Sequence, residues 1–328
     1  MGVEQLLKVD KAVTYILLLL FILSSFSFVL PGCSEREPEA VEQEQEQPEE
    51  EEIEEEEVQN ITVKKVQPIT VVINNHPSAR PQSGLQQASV VYEFLVEGGL
   101  SRFLAVYDTP YNNNFMIGPV RSLRPYLGVK AAEYGGLIAH SGYSRRTEMM
   151  IRGLNLKQIV SSAYLFRDSS RRAPHNLYTD IEKLHKAAGG DPAVTEREII
   201  IEKNNSLSFE EGSQVEIVYS AGNQVFYTYD DKEEVYLRFI NSVSHKDRDT
   251  GKQYYARRVI VQHVSHQYVP GTDLVDIDLE GSGEGLLYEE GRKYSLNWEK
   301  KDGTTNYYYE DSTPVELGWG STWIQIVR

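Results

Sequence analysis

The chain has almost no cysteine: Cys33 is the only one among its 328 residues. A single thiol cannot close a disulfide within the chain, so the folded part must be stabilised by its hydrophobic core alone. Cysteine-rich zinc sites are excluded for the same reason. If the protein is exported, this lack fits a Gram-positive-type envelope better than a secreted scaffold that disulfides stabilise.

Positive charge is also scarce. The 33 Lys and Arg residues face 49 Asp and Glu residues, which gives a net charge of −16. Fourteen glutamates and one arginine between residues 34 and 60 contribute −13, whereas residues 61–328 carry only −3. The acidity therefore belongs to a tail that lacks aromatic residues and repels itself, and we predict a disordered Glu-rich tether over 33–67. Since the sequence has no basic stripe, it predicts no nucleic-acid partner.

Charge of either sign is absent from residues 13–30, an apolar run that follows Lys8 and Lys11. A charged start, an apolar middle and small residues before Cys33 are typical of a secretory signal. We predict a signal peptide over 1–32, with Cys33 lipidated as the first mature residue. An uncleaved transmembrane helix is the alternative, because the run is long enough to span a bilayer. Both place the remaining chain at the outer face of the cell membrane.

The chain after the predicted tether divides into two regions with different predicted secondary structure. We predict an α+β fold, with a layered α/β domain over 68–195 followed by a smaller antiparallel β-rich domain over 212–328. In the first region we predict strands at Ile69–Ile73, Val90–Val96, Phe103–Tyr107 and Leu137–His140, and helices at Ser122–Tyr134 and from Thr179, with Glu182 in its capping box, to Gly189. In the second we predict strands at Val215–Tyr219, Val225–Tyr229, Val235–Phe239, Tyr255–Gln262, Leu274–Ile277, Tyr294–Trp298, Asn306–Tyr309 and Trp323–Val327.

Several motifs of established chemistry are missing. The sequence has no Gly-x-Ser-x-Gly elbow, which disfavours a serine nucleophile, and no His-Glu-x-x-His or cysteine pair, which disfavours a metal site. The run Gly281-x-Gly283-x-Gly285 lacks the strand–helix context of a nucleotide fingerprint and predicts a glycine-rich hairpin. We therefore predict no cofactor and no metal.

Arginine is abundant in the first region, where nine Arg and two Lys lie between residues 101 and 175. Arginine binds carboxylates and phosphates through two parallel hydrogen bonds, so it is the expected residue of an anion site. Arg121, Ser122 and Arg124 precede a predicted helix whose N-terminus favours an anion, and Arg102 follows a glycine turn. The alternative is that these arginines pair with carboxylates inside the fold.

A second group of polar residues follows a predicted strand. His140 and Ser141 end the strand at 137–140, and Arg167, His175 and Asn176 lie further along the chain. Sites in α/β folds often follow strand ends, and either histidine could serve as a general acid or base. Arg80 belongs to a third polar loop, which serves either as a rigid connection or as a binding loop.

Taken together, these residues resemble the YerB-like lipoprotein family of Gram-positive bacteria. The resemblance is carried by Ala79-Arg80-Pro81-Gln82-Ser83-Gly84, Val91-Tyr92-Glu93, Glu97-Gly98-Gly99 with Ser101-Arg102, Gly118-Pro119-Val120-Arg121-Ser122 with Arg124, His140-Ser141-Gly142, Pro174-His175-Asn176-Leu177-Tyr178, His245 with Asp247, Trp298 with Lys300, and Gly320–Trp323. Arg257-Arg258 departs from the pattern, which has Asn beside Val259. The resemblance implies an α/β first domain, a smaller β-rich second one and a lipid anchor, but no activity.

Three functions remain open at this point. The first is a lipoprotein that binds an anionic envelope ligand, such as a cell-wall glycan or another anionic envelope polymer, through a cleft lined by arginine and histidine. Its ligand-binding residues would be Arg80, Arg102, Arg121, Ser122, Arg124, Ser141, Arg167 and Asn176. The second is a hydrolase or transferase on the same class of substrate, with His140 or His175 as the catalytic acid or base. The third is a structural scaffold without a small-molecule site.

Overall fold

The structure is a computed structural model that describes residues 57–190, 192–203, 207–317 and 320–328. The predicted signal peptide, Cys33 and most of the predicted tether lie outside these residues. Within them, no helix combines the length and the apolar character needed to cross a membrane. Residues 57–328 belong to one compact unit that contains both hydrophobic cores, and we expect this unit to fold on its own.

A mixed sheet of eleven strands forms the centre of the described residues. From one edge to the other the strands are β11 (Glu210–Glu211), β21 (Arg292–Lys301), β20 (Ser282–Glu289), β17 (Arg258–His263), β23 (Thr322–Val327), β3 (Val90–Leu95), β4 (Ser101–Tyr107), β2 (Ile69–Asn74), β6 (Leu137–Ala139) and β7 (Lys157–Ile159), with β22 (Thr304–Tyr309) also paired to β21. The pairs β2–β6, β6–β7, β17–β23 and β23–β3 are parallel, and the others are antiparallel.

Both faces of this sheet are covered, and alternate residues of its strands therefore enter two separate cores. In β2, Val71 and Ile73 belong to one core and Val72 to the other. The described residues form three α-helices, which are α1 (Pro125–Glu133), α2 (Arg145–Ile151) and α3 (Ile181–Ala188). The helices α1 and α2 pack into the core of Val72, whereas α3 packs into the core of Val71.

Smaller sheets complete the fold. They are β12 (Gln214–Ser220), β13 (Asn223–Asp230), β14 (Val235–Ile240), β15 (Val243–Ser244) and β16 (Tyr255–Ala256) in one sheet; β5 (Met116–Ile117), β9 (Leu177–Asp180) and β8 (Phe166–Arg167) in a second; β18 (His266–Tyr268) with β19 (Val275–Ile277); and β1 (Glu57–Lys65) with β10 (Thr195–Lys203). The five-stranded sheet packs through Val225 and Tyr236 on the same face as α3.

Strands are more abundant than the sequence predicts, since they make up 46% of the described residues and helices 13%. The mixture of strands and helices agrees with an α+β class in this coarser sense, whereas the layered α/β description of the first region is not confirmed. The two predicted regions also share one sheet. β23, from the end of the chain, lies between β17 of the second region and β3 of the first, in parallel to both. The pairing of distant segments decides this arrangement, and hydrophobic patterning does not encode it.

The predicted tether extends too far. Within 33–67, residues Glu57–Lys65 form β1, which pairs along its whole length with Thr195–Lys203 of β10. The register runs from Glu57 opposite Lys203 to Lys65 opposite Thr195. The β-branched residues Ile61, Thr62 and Val63 explain why this end of the acidic segment forms a strand. The acidic segment therefore does not end where the folded part begins, because its last residues belong to β1.

Two predicted helix starts are wrong by two or three residues. The helix expected from Ser122 begins at Pro125 with Arg124 as its N-cap, and no side chain caps it. The chain before Pro125 is held extended, because the Arg121 amide donates to the Val72 carbonyl at 2.8 Å. In α3 the N-cap is Asp180 instead of Thr179, and its carboxylate accepts from the Lys183 amide at 2.9 Å.

The strands predicted in the second region are present with small shifts of their ends, except that Tyr255–Gln262 is divided between β16 and β17. Several elements had no counterpart in the predictions, among them β20 and α2. Residues Gly283 and Gly285 lie inside β20, where a Cβ on Gly285 would approach the Val261 carbonyl oxygen to 2.7 Å. The helix α2 was missed as well, because it buries only Thr147 and Ile151.

Candidate functional site

Polar side chains gather where β2 ends. The segment 119–121 lies beside this end, because the Asn74 amide donates to the Pro119 carbonyl at 2.9 Å. On its other side the Val120 amide donates to the Leu177 carbonyl at 2.6 Å, which brings the loop around His175 to the same place. The sequence predicted Arg121 and His175 in one site, and the backbone places them on neighbouring segments.

Two histidines stack at this place. The rings of His76 and His175 lie 4.6 Å apart between centroids, with planes 23° from parallel. The His76 Nδ1 accepts from the Ser78 amide at 3.0 Å. The Asn74 Oδ1 accepts from the His76 amide, so the Nδ2 of Asn74 is the atom that donates to His175 Nδ1 at 2.9 Å. With both Nδ1 atoms accepting, each neutral ring carries its proton on Nε2 and offers an N–H donor.

Arg121 provides the charge next to this pair. Its half-buried guanidinium makes no hydrogen bond and no ion pair with the residues that the structure describes. Burial lowers the pKa of His175, and the nearby His76, Arg121 and Arg171 lower it further, which favours the neutral ring. Arg171 donates to the carbonyls of Ala79 and Pro81 at 2.7 and 2.8 Å, and none of the carboxylates that the structure describes pairs with it. We call Asn74, His76, Arg121, Arg171 and His175 the Arg121 cluster.

The other two predicted arginines of this region are partly neutralised. Glu97 accepts from Arg124 through both of its oxygens, with Nε at 2.9 Å from Oε2, and its Oε1 lies 3.7 Å from Arg102 Nη2. Arg102 also donates to the Ser122 carbonyl at 2.7 Å, and burial lowers its pKa to about 10. The pairing alternative therefore applies to Arg102 and Arg124, whereas Arg121 stays unpaired. Two arginines share one carboxylate, so this group keeps a positive charge.

The Glu97 pairing predicts a pH dependence of stability. Burial acts to raise the pKa of Glu97, but the hydrogen bond from Arg124 and the charges of Arg102 and Arg124 lower it to about 2, from an ordinary value of 4.5. A carboxyl whose pKa is depressed by folding stabilises the protein above its unfolded pKa, and this contribution disappears as the pH falls through the folded pKa. We expect the stability difference between the wild type and Glu97→Gln to be constant above about pH 5 and to shrink toward pH 2.

Urea unfolding at a series of pH values measures this difference. Glu148→Gln is the control, since the exposed carboxylate of Glu148 has no ion pair in the described part of the chain, and its difference from the wild type should change little with pH. A Glu97→Gln difference that is the same at pH 3 and pH 7 would contradict the pairing.

His140 does not fit the catalytic role that the sequence suggested. Its ring is fully buried, its Nδ1 accepts from the Gly142 amide at 3.0 Å, and its Nε2 lies 3.1 Å from Gln158 Oε1. Both nitrogens are satisfied inside the protein, so neither can exchange a proton with a substrate. Burial also lowers its pKa. His140 supports the loop that carries Ser141, whose amide donates to the Arg121 carbonyl at 3.1 Å.

The remaining predicted residues border the Arg121 cluster or support it. Ser122 and Ser141 face each other with their hydroxyl oxygens 3.4 Å apart, and Ser141 is exposed. Arg167 donates to the side-chain oxygen of buried Asn176 at 2.7 Å, so this pair shapes the loop before His175. Arg80 is bound to Asn75 through Nε and Nη2, at 3.0 and 2.9 Å, and fixes the loop after β2.

A fully buried polar network behind the cluster was missed from the sequence. At its centre Arg238 Nη2 lies 2.5 Å from Glu93 Oε2, and neither side chain is exposed. Arg238 Nε donates to His245 Nδ1 at 3.1 Å, and His245 Nε2 donates to Gln82 Oε1 at 2.7 Å. Asn75, from the loop after β2, donates to Glu93 Oε1 at 3.0 Å. The network therefore joins the loop that carries His76 to strands of the second region.

The chemistry of the Arg121 cluster favours an anion. Its groups without a partner among the described residues are a guanidinium and two imidazole Nε2–H donors, and a metal ion would instead need lone pairs. In the ranges that the structure describes, no group of three His, Cys, Asp or Glu side chains could hold a metal ion. Three members of the cluster were not predicted as site residues, and the signal for two of them, Asn74 and His76, was the run Asn74-Asn75-His76 directly after a buried strand.

Comparisons with known proteins agree on one relationship. Residues 55–193 match the family model described as protein of unknown function (DUF3048), N-terminal domain, and residues 215–324 match its C-terminal domain. The chain is 30% identical over 317 residues to the protein named "Putative lipoprotein YerB" of Bacillus subtilis (strain 168). The aligned residues make up 92% of each chain. A crystal structure of YerB from Bacillus subtilis matches with a TM-score of 0.67, covering 80% of this chain and 91% of that one.

Proposed function

Because the chain belongs to the YerB-like family of lipoproteins, we propose that it is held at the outer face of the cell membrane and binds an anionic envelope ligand at the Arg121 cluster. In this proposal Cys33 carries the lipid, and the Glu-rich segment before β1 serves as the tether. The ligand is an anionic cell-envelope polymer, such as a phosphate-bearing or carboxylate-bearing wall glycan. It needs no cofactor.

The unpaired guanidinium of Arg121 carries this proposal. Arginines in folded proteins usually find a carboxylate, as Arg124 does with Glu97 and Arg238 does with Glu93. Arg121 is half-buried and has no such partner among the described residues, which leaves its donors available to a ligand. The Nε2–H groups of His76 and His175 add two donors beside this charge, and hydrogen bonds from a guanidinium to phosphate oxygens are charge-assisted and strong.

A binding experiment tests the proposal. Using the chain from residue 34 to 328, we expect saturable binding of inorganic polyphosphate, measured by calorimetry at low salt. Loss of a hydrogen bond between charged groups should make Arg121→Ala bind roughly 10- to 100-fold more weakly, from about 1.5–3 kcal/mol per bond. His175→Ala should weaken binding by less, because a neutral donor is lost. Arg257→Ala is the matched control, since this exposed arginine lies on the second region.

Other outcomes would select the alternatives. Turnover of a polyphosphate or soluble wall fragment that disappears in His175→Ala would replace binding by a hydrolase or transferase activity. Polyphosphate binding that Arg121→Ala and Arg257→Ala weaken equally would indicate general charge attraction and contradict the site. No binding of any anionic probe would leave the scaffold as the function.

A further inference from the structure

The helix α2 exposes an unusual face. It buries Thr147 and Ile151, one turn apart, while Arg145, Met149 and Arg152 lie on the opposite side with Glu148. Met149 and Met150 are 57% and 48% exposed, and Tyr143, just before the helix, is 40% exposed. We call Tyr143, Arg145, Met149, Met150 and Arg152 the α2 surface.

The charges on this surface are available to a partner. Arg145 and Arg152 form no hydrogen bond and no ion pair with the described residues, whereas Arg146 at the edge of the helix pairs with Asp276. Glu148 is the single acidic residue on the exposed helix face. Two free guanidinium groups thus flank two exposed methionines. Methionine side chains adapt their shape to soft apolar surroundings, which suits disordered acyl chains.

From this arrangement we propose that the α2 surface docks on an anionic phospholipid leaflet. The proposal rests on the membrane location given under the proposed function. Helices that lie in a membrane interface combine apolar side chains, which enter the headgroup boundary, with flanking basic residues that bind lipid phosphates. A folded protein partner would be expected to need a larger and more continuous apolar area. The net positive charge of this region complements an anionic leaflet, because Arg145 and Arg152 outnumber the neighbouring carboxylate of Glu148.

Docking at α2 also sets the position of the Arg121 cluster relative to the membrane surface. The loop His140–Ser144 connects the cluster to α2, since the Ser141 amide donates to the Arg121 carbonyl and the Leu123 amide donates to the Gly142 carbonyl at 2.9 Å. When α2 lies on the leaflet, the cluster is held close to the lipid headgroups. The anions it meets first are then phosphates at the membrane surface.

Vesicle binding tests this docking. The chain from residue 34 to 328, which lacks the lipid, is sedimented with vesicles of phosphatidylglycerol or of phosphatidylcholine. We expect binding to phosphatidylglycerol and much less to phosphatidylcholine. Arg145→Gln with Arg152→Gln should weaken binding roughly 25-fold, at about fivefold for each cation removed. Met149→Ser with Met150→Ser should weaken it roughly tenfold through lost apolar burial.

Two matched controls carry equal changes on other surfaces. Lys232→Gln with Lys301→Gln removes two exposed cations, and Val218→Ser with Val243→Ser removes two exposed apolar groups, of 59% and 68% exposure. Binding that the controls reduce as much as the α2 variants would overturn the proposal, as would equal binding to both lipids. Methionine variants that bind like the wild type would also overturn it. Polyphosphate binding without vesicles reports on the Arg121 cluster separately, so failure of the docking surface can be told from failure of the anion site.

Discussion

Replacing Arg238 by Met should lower the free energy of unfolding by about 3–5 kcal/mol, because the change leaves the Glu93 carboxylate charged and unpaired inside the protein. Arg238 is also packed among aromatic rings, with its guanidinium carbon 4.4 Å from the centre of the Trp323 ring and 5.1 Å from that of Tyr227. Its loss removes these contacts and the hydrogen bond to His245 together. Urea unfolding followed by tryptophan fluorescence and far-UV circular dichroism measures the change.

A double-mutant cycle separates the ion pair from the rest of the network. Replacing Glu93 by Leu in the Arg238→Met background removes the orphaned charge, and we expect a coupling of about 1–3 kcal/mol between the two positions. The exposed pair of Arg197 and Glu316, 3.3 Å apart, is the control, and Arg197→Met should cost less than about 1 kcal/mol. An Arg238→Met loss as small as that of the control would contradict a dry, charged pair at the centre of the protein.

Deleting residues 322–328 should unfold the whole chain. These residues include β23, whose Trp323, Ile324 and Ile326 are fully buried and belong to both cores. Losing three such side chains costs roughly 2–5 kcal/mol each, which together approaches the entire stability of about 5–15 kcal/mol of a globular protein. The deletion also leaves β3 and β17 without their common neighbour. Circular dichroism and limited proteolysis of the truncated chain measure the result.

The control deletion removes only the exposed Arg328 and should leave the unfolding transition nearly unchanged. The two-domain prediction from the sequence gives the opposite expectation, namely that residues 68–195 stay folded when the last strand is lost. A protease-resistant fragment covering 68–195 in the truncated chain would therefore show that the regions fold independently, in spite of their shared sheet.

Local sequence patterns predicted the central strands because their residues are buried on both faces. The runs at 69–74 and 90–95 are rich in β-branched and aromatic residues, which favour strands over helices, and every residue of both strands is buried. The first residue of α1 could not be predicted from local sequence in the same way. Ser122 is a better N-cap than Arg124 by type, but a hydrogen bond from Arg121 to β2 keeps the chain extended up to Pro125. Contacts between distant segments decided that boundary.

The sequence could predict which types of residue form the candidate site, but not which of its arginines pair with carboxylates. Arginine enrichment pointed to Arg102, Arg121 and Arg124, yet only the fold shows that Glu97 engages two of them and leaves Arg121 unpaired. For the same reason His140 could not be distinguished from His175, since burial and the Gln158 contact arise from tertiary packing. The pair of Glu93 and Arg238, 145 positions apart, has no local signal at all.

The path of the chain from β1 to β2 has a mechanical consequence. β1 ends at Lys65 and β2 begins at Ile69, so one nearly continuous extended stretch leads from Glu57 to Asn74. Under the proposed anchoring, traction from the membrane enters at residue 57 and passes along this stretch. β2 resists it in shear, because ladders with β4 and β6 hold it on both sides. Asn74, which orients both His76 and His175, is the last residue of that stretch, so the ladders of β2 separate the ligand-binding histidines from tension on the anchor.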